Sequence, residues 1–197
     1  LEGVAVADLE AAQAEAQSIF DGALNKADLE YSVDYTLTDT RANLTAADAA
    51  VVEGAAGYEL TDGSIDLGDG SVEDITAAIA DAQAVIDGAA NAEKPVLEAS
   101  YVLNDSIANL MDADDALLDA AAGYMVTDAL ENIIDRDNTE IVNGASSYTL
   151  TDGVLDLEDQ TVLGVKSAVE AAEAAIAKAA NADDVTLTVA YTLTDKI

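Results

Sequence analysis

The chain has 197 residues, 40 of them acidic against seven basic, for a net charge of -33, and 51% of it is apolar. Charge of that sign and size repels nucleic-acid backbones and anionic membrane faces, so nucleic acid is excluded as a partner, and the apolar fraction excludes a disordered chain. With neither cysteine nor histidine, disulfides, thiolate nucleophiles, soft-metal sites and the usual general base are excluded too.

Apolar mass comes mostly from Ala, Val, Ile and Leu, with Phe20 the one phenylalanine, no tryptophan and seven tyrosines, so packing must rest on thin layers of small side chains. No apolar run approaches the length needed to cross a bilayer, and no direct membrane insertion is expected. Crowded carboxylates repel one another less in salt. The melting temperature is therefore expected to climb with ionic strength, and a salt-independent melt would contradict this reading.

The opening LEGVAVADLE has neither an initiator Met nor the basic-then-apolar layout of a signal peptide, so the chain is expected to be processed or cut from a longer array. Val4 to Asp34 reads as the tail of a repeat unit: Val6, Leu9, Ala16 and Phe20 share one helical face, interrupted by Gln13. Alternation over Leu29, Tyr31, Val33, Tyr35 and Leu37 then predicts a strand.

At Tyr35 a decapeptide begins that returns down the chain: YTLTDTRANL, YELTDGSIDL at Tyr58, YVLNDSIANL at Tyr101, YMVTDALENI at Tyr124, YTLTDGVLDL at Tyr148 and a truncated YTLTDKI at Tyr191. The tyrosines are spaced 23, 43, 23, 24 and 43 apart, so two unit lengths occur. The units are 1–34 (partial), 35–57, 58–100, 101–123, 124–147, 148–190 and 191–197 (partial). Each opens on a strand, the fullest being Val185, Leu187, Val189, Tyr191 and Leu193. In short units a small helix is predicted around Thr45–Ala55 and Asp112–Ala122, ended by Gly57 or Gly123 in the left-handed C-cap position; the unit holding Asn138 and Asn143 fits least well. Long units carry a longer helix over Val72, Ile75, Ile79, Ala82, Ile86 and Ala89, N-capped by Ser71, and again over Val162, Val165, Val169, Ala172, Ile176 and Ala179 behind Thr161.

Strand and helix in the same order at a short period call for parallel strands joined by right-handed crossovers. The predicted fold class is α/β: a single array forming a repeat solenoid of strand-helix units with a parallel sheet, tyrosines in one column and aliphatics in another. The alternative is a row of small α+β domains, favoured by Asp62-Gly63 and Asp152-Gly153, which read as hairpin turns.

A solenoid would also stack the fifth-place acids, Asp39, Asp62, Asp105, Asp128, Asp152 and Asp195, roughly 5 Å apart. Charges that close must be relieved, either by capping backbone N–H groups where strand turns to helix or by cations between coils. Asp62, Asp66 and Asp69, repeated as Asp152, Asp156 and Asp159, supply enough hard oxygens for a calcium site, although the spacing is neither an EF-hand nor the glycine-rich nonapeptide of calcium-loaded β-rolls. A solvated acidic loop is the simpler reading. Ninth-place Asn43, Asn109 and Asn132 suggest a ladder that satisfies backbone groups. Thr36-Leu37-Thr38 and its copies set two hydroxyls on one strand face, as ice-binding solenoids do, but Glu59, Val102, Asn104 and Met125 interrupt the array. Carboxylates are everywhere rather than in a tuned pair, so no catalytic residue is expected.

The run YTLTDTRANL, an alanine-rich helix and a further Tyr-x-Leu-Thr-Asp together resemble the tandem repeats of very large secreted or cell-surface bacterial proteins, including type I-secreted, adhesin-like ones. The resemblance spans most of the chain. It implies a non-enzymatic extracellular structural segment: a stalk, spacer or surface-layer element. Its partners would be further copies of the repeat, in the same chain or in neighbouring subunits, met at strand edges near Asp34 and Lys196. The alternative is a calcium-dependent adhesive or ligand-binding module that uses the strand face.

Overall fold

The computed structural model describes residues 1–25 and 32–194, and these fall into two compact units, Leu1–Asp66 with Ala78–Ala99 and Leu67–Ala77 with Ser100–Ile197. In the first, α1 (Val6–Gly22) leads to β1 (Leu37–Asp39), the short helices α2 (Arg41–Ala46) and α3 (Ala49–Glu53), and β2 (Tyr58–Leu60), which pairs parallel to β1. Val6, Leu9, Tyr35, Leu37, Leu44, Leu60, Ile86 and Ala89 form its buried core. The opposite edge of β1 is taken by the chain's own start: Val4 bridges Leu37 in parallel, and the Leu1 ammonium donates to the Asp34 carbonyl at 2.8 Å. The edge near Asp34 is thus occupied rather than open, and Lys196 lies outside the described residues, as do Leu29 and Tyr31 of the predicted first strand.

Three elements contribute to both units: β3 (Ser64–Gly70), α4 (Val72–Gly88) and β4 (Glu98–Asp105). The second unit continues through α5 (Ile107–Asp112), α6 (Asp115–Ala120), β5 (Tyr124–Asp128), α7 (Leu130–Ile134), a 3-10 turn at Arg136–Asn138 and α8 (Thr139–Gly144). It ends with β6 (Ser147–Leu150), β7 (Val154–Gln160), α9 (Val162–Ile176) and β8 (Thr188–Leu193). One sheet has the order β3-β4-β5-β6, a second pairs β7 with β8, and the registers β4–β5, β5–β6 and β7–β8 are parallel. The predicted class, α/β with parallel strands and helical crossovers, is what forms.

The long helices begin where the sequence places them. Ser71 Oγ accepts from Asp74 N–H at 3.1 Å and Thr161 Oγ1 from Gly164 N–H at 3.0 Å, each removing one orphan donor of the first turn. The small helices differ from expectation. They start at Arg41 and Ile107, directly after the N-caps Thr40 and Ser106, and each is cut in two where Asp48 or Asp114 caps a new helix. Nor do Gly57 and Gly123 cap them: both lie beyond the helices, where their carbonyls accept from Leu37 and Leu103 N–H.

No hairpin forms at either Asp-Gly step. β2 pairs with β1 and β6 with β5, whereas the Gly63 carbonyl accepts from Glu98 N–H at 3.0 Å and the Gly153 carbonyl from Thr188 N–H at 2.8 Å. Each step thus hands the chain from the last strand of one sheet to the first of the next. Glycine is needed for close approach, since a Cβ at 63 would overlap the Val96 carbonyl and one at 153 the Thr186 carbonyl.

The expected columns are staggered. Tyr58 stands opposite Leu37, Tyr124 opposite Leu103, Tyr148 opposite Val126 and Tyr191 opposite Leu157, so each tyrosine neighbours the preceding strand's aliphatic residue rather than its tyrosine. Each tyrosine with a helix behind it donates its hydroxyl to a carbonyl of that unit's last helix: Tyr35 to Val51 (2.6 Å), Tyr58 to Val85 (2.8 Å), Tyr101 to Leu117 (2.8 Å), Tyr124 to Ile141 (2.9 Å) and Tyr148 to Ala175 (2.8 Å). One tyrosine contact therefore serves both unit lengths. Burial pushes the Tyr101, Tyr124 and Tyr148 hydroxyls above their ordinary value of 10.0, with Glu140 adding to the effect on Tyr124. Because the folded values are raised, this contribution is whole below pH 10 and is lost as pH rises through them. Tyr148→Phe is expected to cost about 1 kcal/mol at neutral pH, measurable by urea unfolding, and to remove part of the alkaline transition seen in tyrosinate absorbance.

Candidate functional site

Of all its side chains, the fifth-place aspartate is the one the repeat uses most distinctively. Asp39 Oδ1 accepts from Thr40 N–H (2.8 Å) and Asn43 Nδ2 (2.7 Å), and its Oδ2 accepts from Val6 N–H (3.0 Å), the first residue of α1 in the preceding unit. Asp105 repeats the set with Ser106, Asn109 and Val72 (2.8, 2.8 and 3.0 Å), and Asp128 with Ala129, Asn132 and Ile107 (2.8, 2.7 and 2.9 Å). Asp62 and Asp152 keep the backward bond, to Arg41 N–H (3.1 Å) and Leu130 N–H (3.2 Å). Asp39, Asp105 and Asp128 thus each cap their own turn and the helix before it, Asp62 and Asp152 cap the helix before, and Asp195 lies outside the described residues. This explains why α1 and α7 have alanine at the N-cap with no side-chain cap of their own.

The stagger also dissolves the expected aspartate column: Asp39 stands opposite Leu60, Asp105 opposite Val126 and Asp128 opposite Leu150. N–H donors relieve the charge. The ninth-place asparagines clamp these carboxylates through Nδ2 rather than forming a ladder of their own.

Burial alone would push the Asp39 carboxyl up, but hydrogen bonds from Asn43, Val6 and Thr40 outweigh it and hold the group below the ordinary 3.8. A depressed folded value means the contribution is complete above pH 3.8 and disappears as pH falls through the lower folded value. Asn43→Ala is expected to move acid unfolding of the first unit to higher pH, as followed by circular dichroism; an unmoved transition would remove Asn43 from the clamp.

The calcium candidates fare differently. Asp62 and Asp152 serve the backward bond, Asp66 and Asp69 lie on β3 and Asp156 on β7, and Asp159 sits at an irregularity of β7 with φ of 53°, its N–H donating to Thr192 Oγ1 at 2.7 Å. Among the described residues no three acidic side chains group closely enough to hold a metal ion. Threonines of the strand face are drawn into the fold as well: Thr36 Oγ1 accepts from Gly3 N–H (2.8 Å) and Thr127 Oγ1 donates to Asn104 Oδ1 (2.8 Å).

An open groove of about 240 Å³ in the first unit lies beside the clamp, lined by Val6, Glu10, Asp39, Asn43 and Ala47, and two larger ones lie elsewhere. One, of about 460 Å³, is lined in the first unit by Thr36, Thr38, Tyr58, Glu2 and Glu59; the other, of about 320 Å³, is lined in the second by Met111, Leu118, Tyr124, Ile141, Asp137 and Glu140. The ion pair Lys166–Glu170 is exposed, at 3.7 Å, and 40 acidic residues face only seven basic ones, so added salt has much repulsion and little attraction to screen.

Sequence reading missed Asn91 and Asn181. Asn91 Oδ1 accepts from Leu60 N–H (2.8 Å) while its Nδ2 donates to the Leu60 carbonyl (2.9 Å), and Asn181 does the same to Leu150 (3.0 and 2.8 Å). Their signal was the tetrapeptide Ala-Ala-Asn-Ala, present after both long helices and nowhere else. No family model matches the chain, and no curated protein or solved structure matches it either. No described helix is long and apolar enough to cross a membrane.

Proposed function

We propose that the chain is a non-enzymatic structural repeat segment, a stalk, spacer or surface-layer element of a large bacterial cell-surface protein, whose strand-helix units stack as a solenoid. The observation that carries this reading is the backward aspartate bond: the fastening runs from each unit to the one before it, so stability accrues between neighbours and units can be added without redesign. The side chains most regularly repeated are spent on this fastening and not on a shared cavity. Further copies of the repeat, in the same chain or in a neighbouring subunit, are the natural partners, and extracellular display suits an acidic chain without cysteine.

Small-angle scattering on this segment and on two segments joined in tandem tests the reading. A maximum dimension that roughly doubles at unchanged cross-section supports it. A tandem that folds back into a thicker particle overturns it. The second reading, a calcium-dependent adhesive module on the strand face, draws on the exposed carboxylates of β3 and β7, and saturable sub-millimolar calcium binding by calorimetry would favour it over the spacer.

A further inference from the structure

The unit that opens at Tyr124 departs from the other two short units ahead of its last helix. Its tyrosine hydroxyl reaches a carbonyl 17 residues on, at Ile141, whereas Tyr35 and Tyr101 reach 16 residues on, to Val51 and Leu117, so one residue has been added before α8. Counted back from those carbonyls, Glu140 takes the place of Ala50 and Ala116, and Asp137 that of Ala47 and Ala113. This unit therefore carries two carboxylates where the other short units carry alanine. Capping does not account for the pair. Asp135 accepts from Asp137 N–H at 3.0 Å, and Asn138, in the place of the caps Asp48 and Asp114, makes no cap bond and donates through Nδ2 to the Asn132 carbonyl at 2.9 Å.

Both carboxylates are exposed, and both line the groove of about 320 Å³ whose other lining residues are Met111, Leu118, Tyr124 and Ile141. Met111 is 63% exposed, so apolar surface is left open beside the two charges, as ligand grooves leave it. We propose that this groove binds a small organic cation with an apolar body, an alkyl- or arylammonium, whose charge meets Asp137 and Glu140 while its hydrocarbon covers Met111, Leu118 and Ile141. Three observations choose that occupant. The lining carries two acids and no base, Arg136 beside Asp137 in the chain not being part of it, so the charge complement is a cation. The open apolar residues call for hydrocarbon, which an inorganic ion lacks. The volume lies at the lower end of the range for small-molecule sites, about 300–1,000 Å³, and is too small for a folded partner. Glu140 also stands near enough to Tyr124 to push its hydroxyl up by charge, after burial, so the negative potential is felt inside the groove. This site goes beyond the spacer reading and stands whether or not the units form a rod.

The probe is phenethylammonium, titrated into the intact chain at fixed ionic strength so that general attraction of cations to a net charge of -33 stays constant, with NMR shifts followed residue by residue. The expected result is saturable binding at one site, with shifts at Met111, Leu118, Tyr124 and Ile141. Phenethyl alcohol, of the same shape without the charge, is expected to bind at least about tenfold more weakly. Asp137→Asn/Glu140→Gln, which keeps the shape of the groove and removes both charges, is expected to weaken phenethylammonium by about tenfold too. Asp183→Asn/Asp184→Asn removes the same charge from exposed positions outside the groove and is expected to bind like the parent. Shifts that never saturate and spread over surface acids overturn the proposal, as does equal binding of the alcohol, and so does an equal loss in the Asp183/Asp184 variant. If the groove variant does not fold, Met111→Lys decides by the same titration: its tethered ammonium is expected to abolish binding, and binding at the parent level overturns the site.

Discussion

Asp128→Ala is expected to lower stability by about 3 kcal/mol, because it removes three hydrogen bonds to one carboxylate and strands the donors of Ile107 and Asn132 in a half-buried setting. For a chain of this size that is roughly 6–12 °C in melting temperature. The loss should not stay within one unit, since Ile107 opens the helix of the preceding repeat. Hydrogen exchange is therefore expected to accelerate in α5 as well as in α7. Asp128→Asn separates shape from charge: its oxygen can still serve Ala129 and Asn132, but its Nδ2 would face the Ile107 N–H, donor against donor, at a cost of about 2 kcal/mol. A loss below about 0.5 kcal/mol in the alanine variant, within the range of ordinary surface changes, would mean that water replaces the carboxylate and that the fastening is incidental.

Gly153→Ala is expected to cost about as much by a different route. Its Cβ would overlap the carbonyl of Thr186 and lie 2.9 Å from Val185 Cγ1, and the nearest atoms belong to backbone that cannot rotate away. Relief requires β7 and β8 to part at their start, weakening the Thr188 N–H bond to the Gly153 carbonyl. Overpacking of this kind costs roughly 1–3 kcal/mol and the hydrogen bond about 1 more. Gly57→Ala is the control, because nothing lies within 4 Å of a Cβ there, and it is expected to be neutral to within about 0.5 kcal/mol. Denaturant unfolding of both variants provides the comparison. Equal stabilities would show that the Asp-Gly step tolerates a side chain and that its glycine is there for a turn after all.

Elements dictated by local chemistry were the legible part of this protein. Period-two alternation around Tyr101 and Leu103 marks β4, three-four spacing from Val72 marks α4, and Ser71 and Thr161 mark the helix starts, since each signal is complete within a few neighbouring residues. Asp48 and Asp114 were local signals as well, but they lie inside alanine-rich runs whose high helix propensity favours one longer helix, and only the cap geometry shows that each begins a second one. The aspartate clamp was half legible. That Asp39 would cap a backbone N–H follows from its place at a turn, but its bond to Val6, 33 residues earlier, does not.

By itself, then, the amino-acid sequence determined the repeat, the alternation of strand and helix, the parallel class and the acidity, because each of these is a property of composition or of residues a few positions apart. Only the tertiary structure decided the register. A stagger of two residues keeps every side chain on its own face of the strand, so the hydrophobic pattern is equally satisfied with or without it, and the choice falls to long-range hydrogen bonds such as Asp105 to Val72. The same holds for where each sheet ends: Asn91 and Gly57 follow the same local alanine, and which of them continues a sheet depends on what stands across the gap.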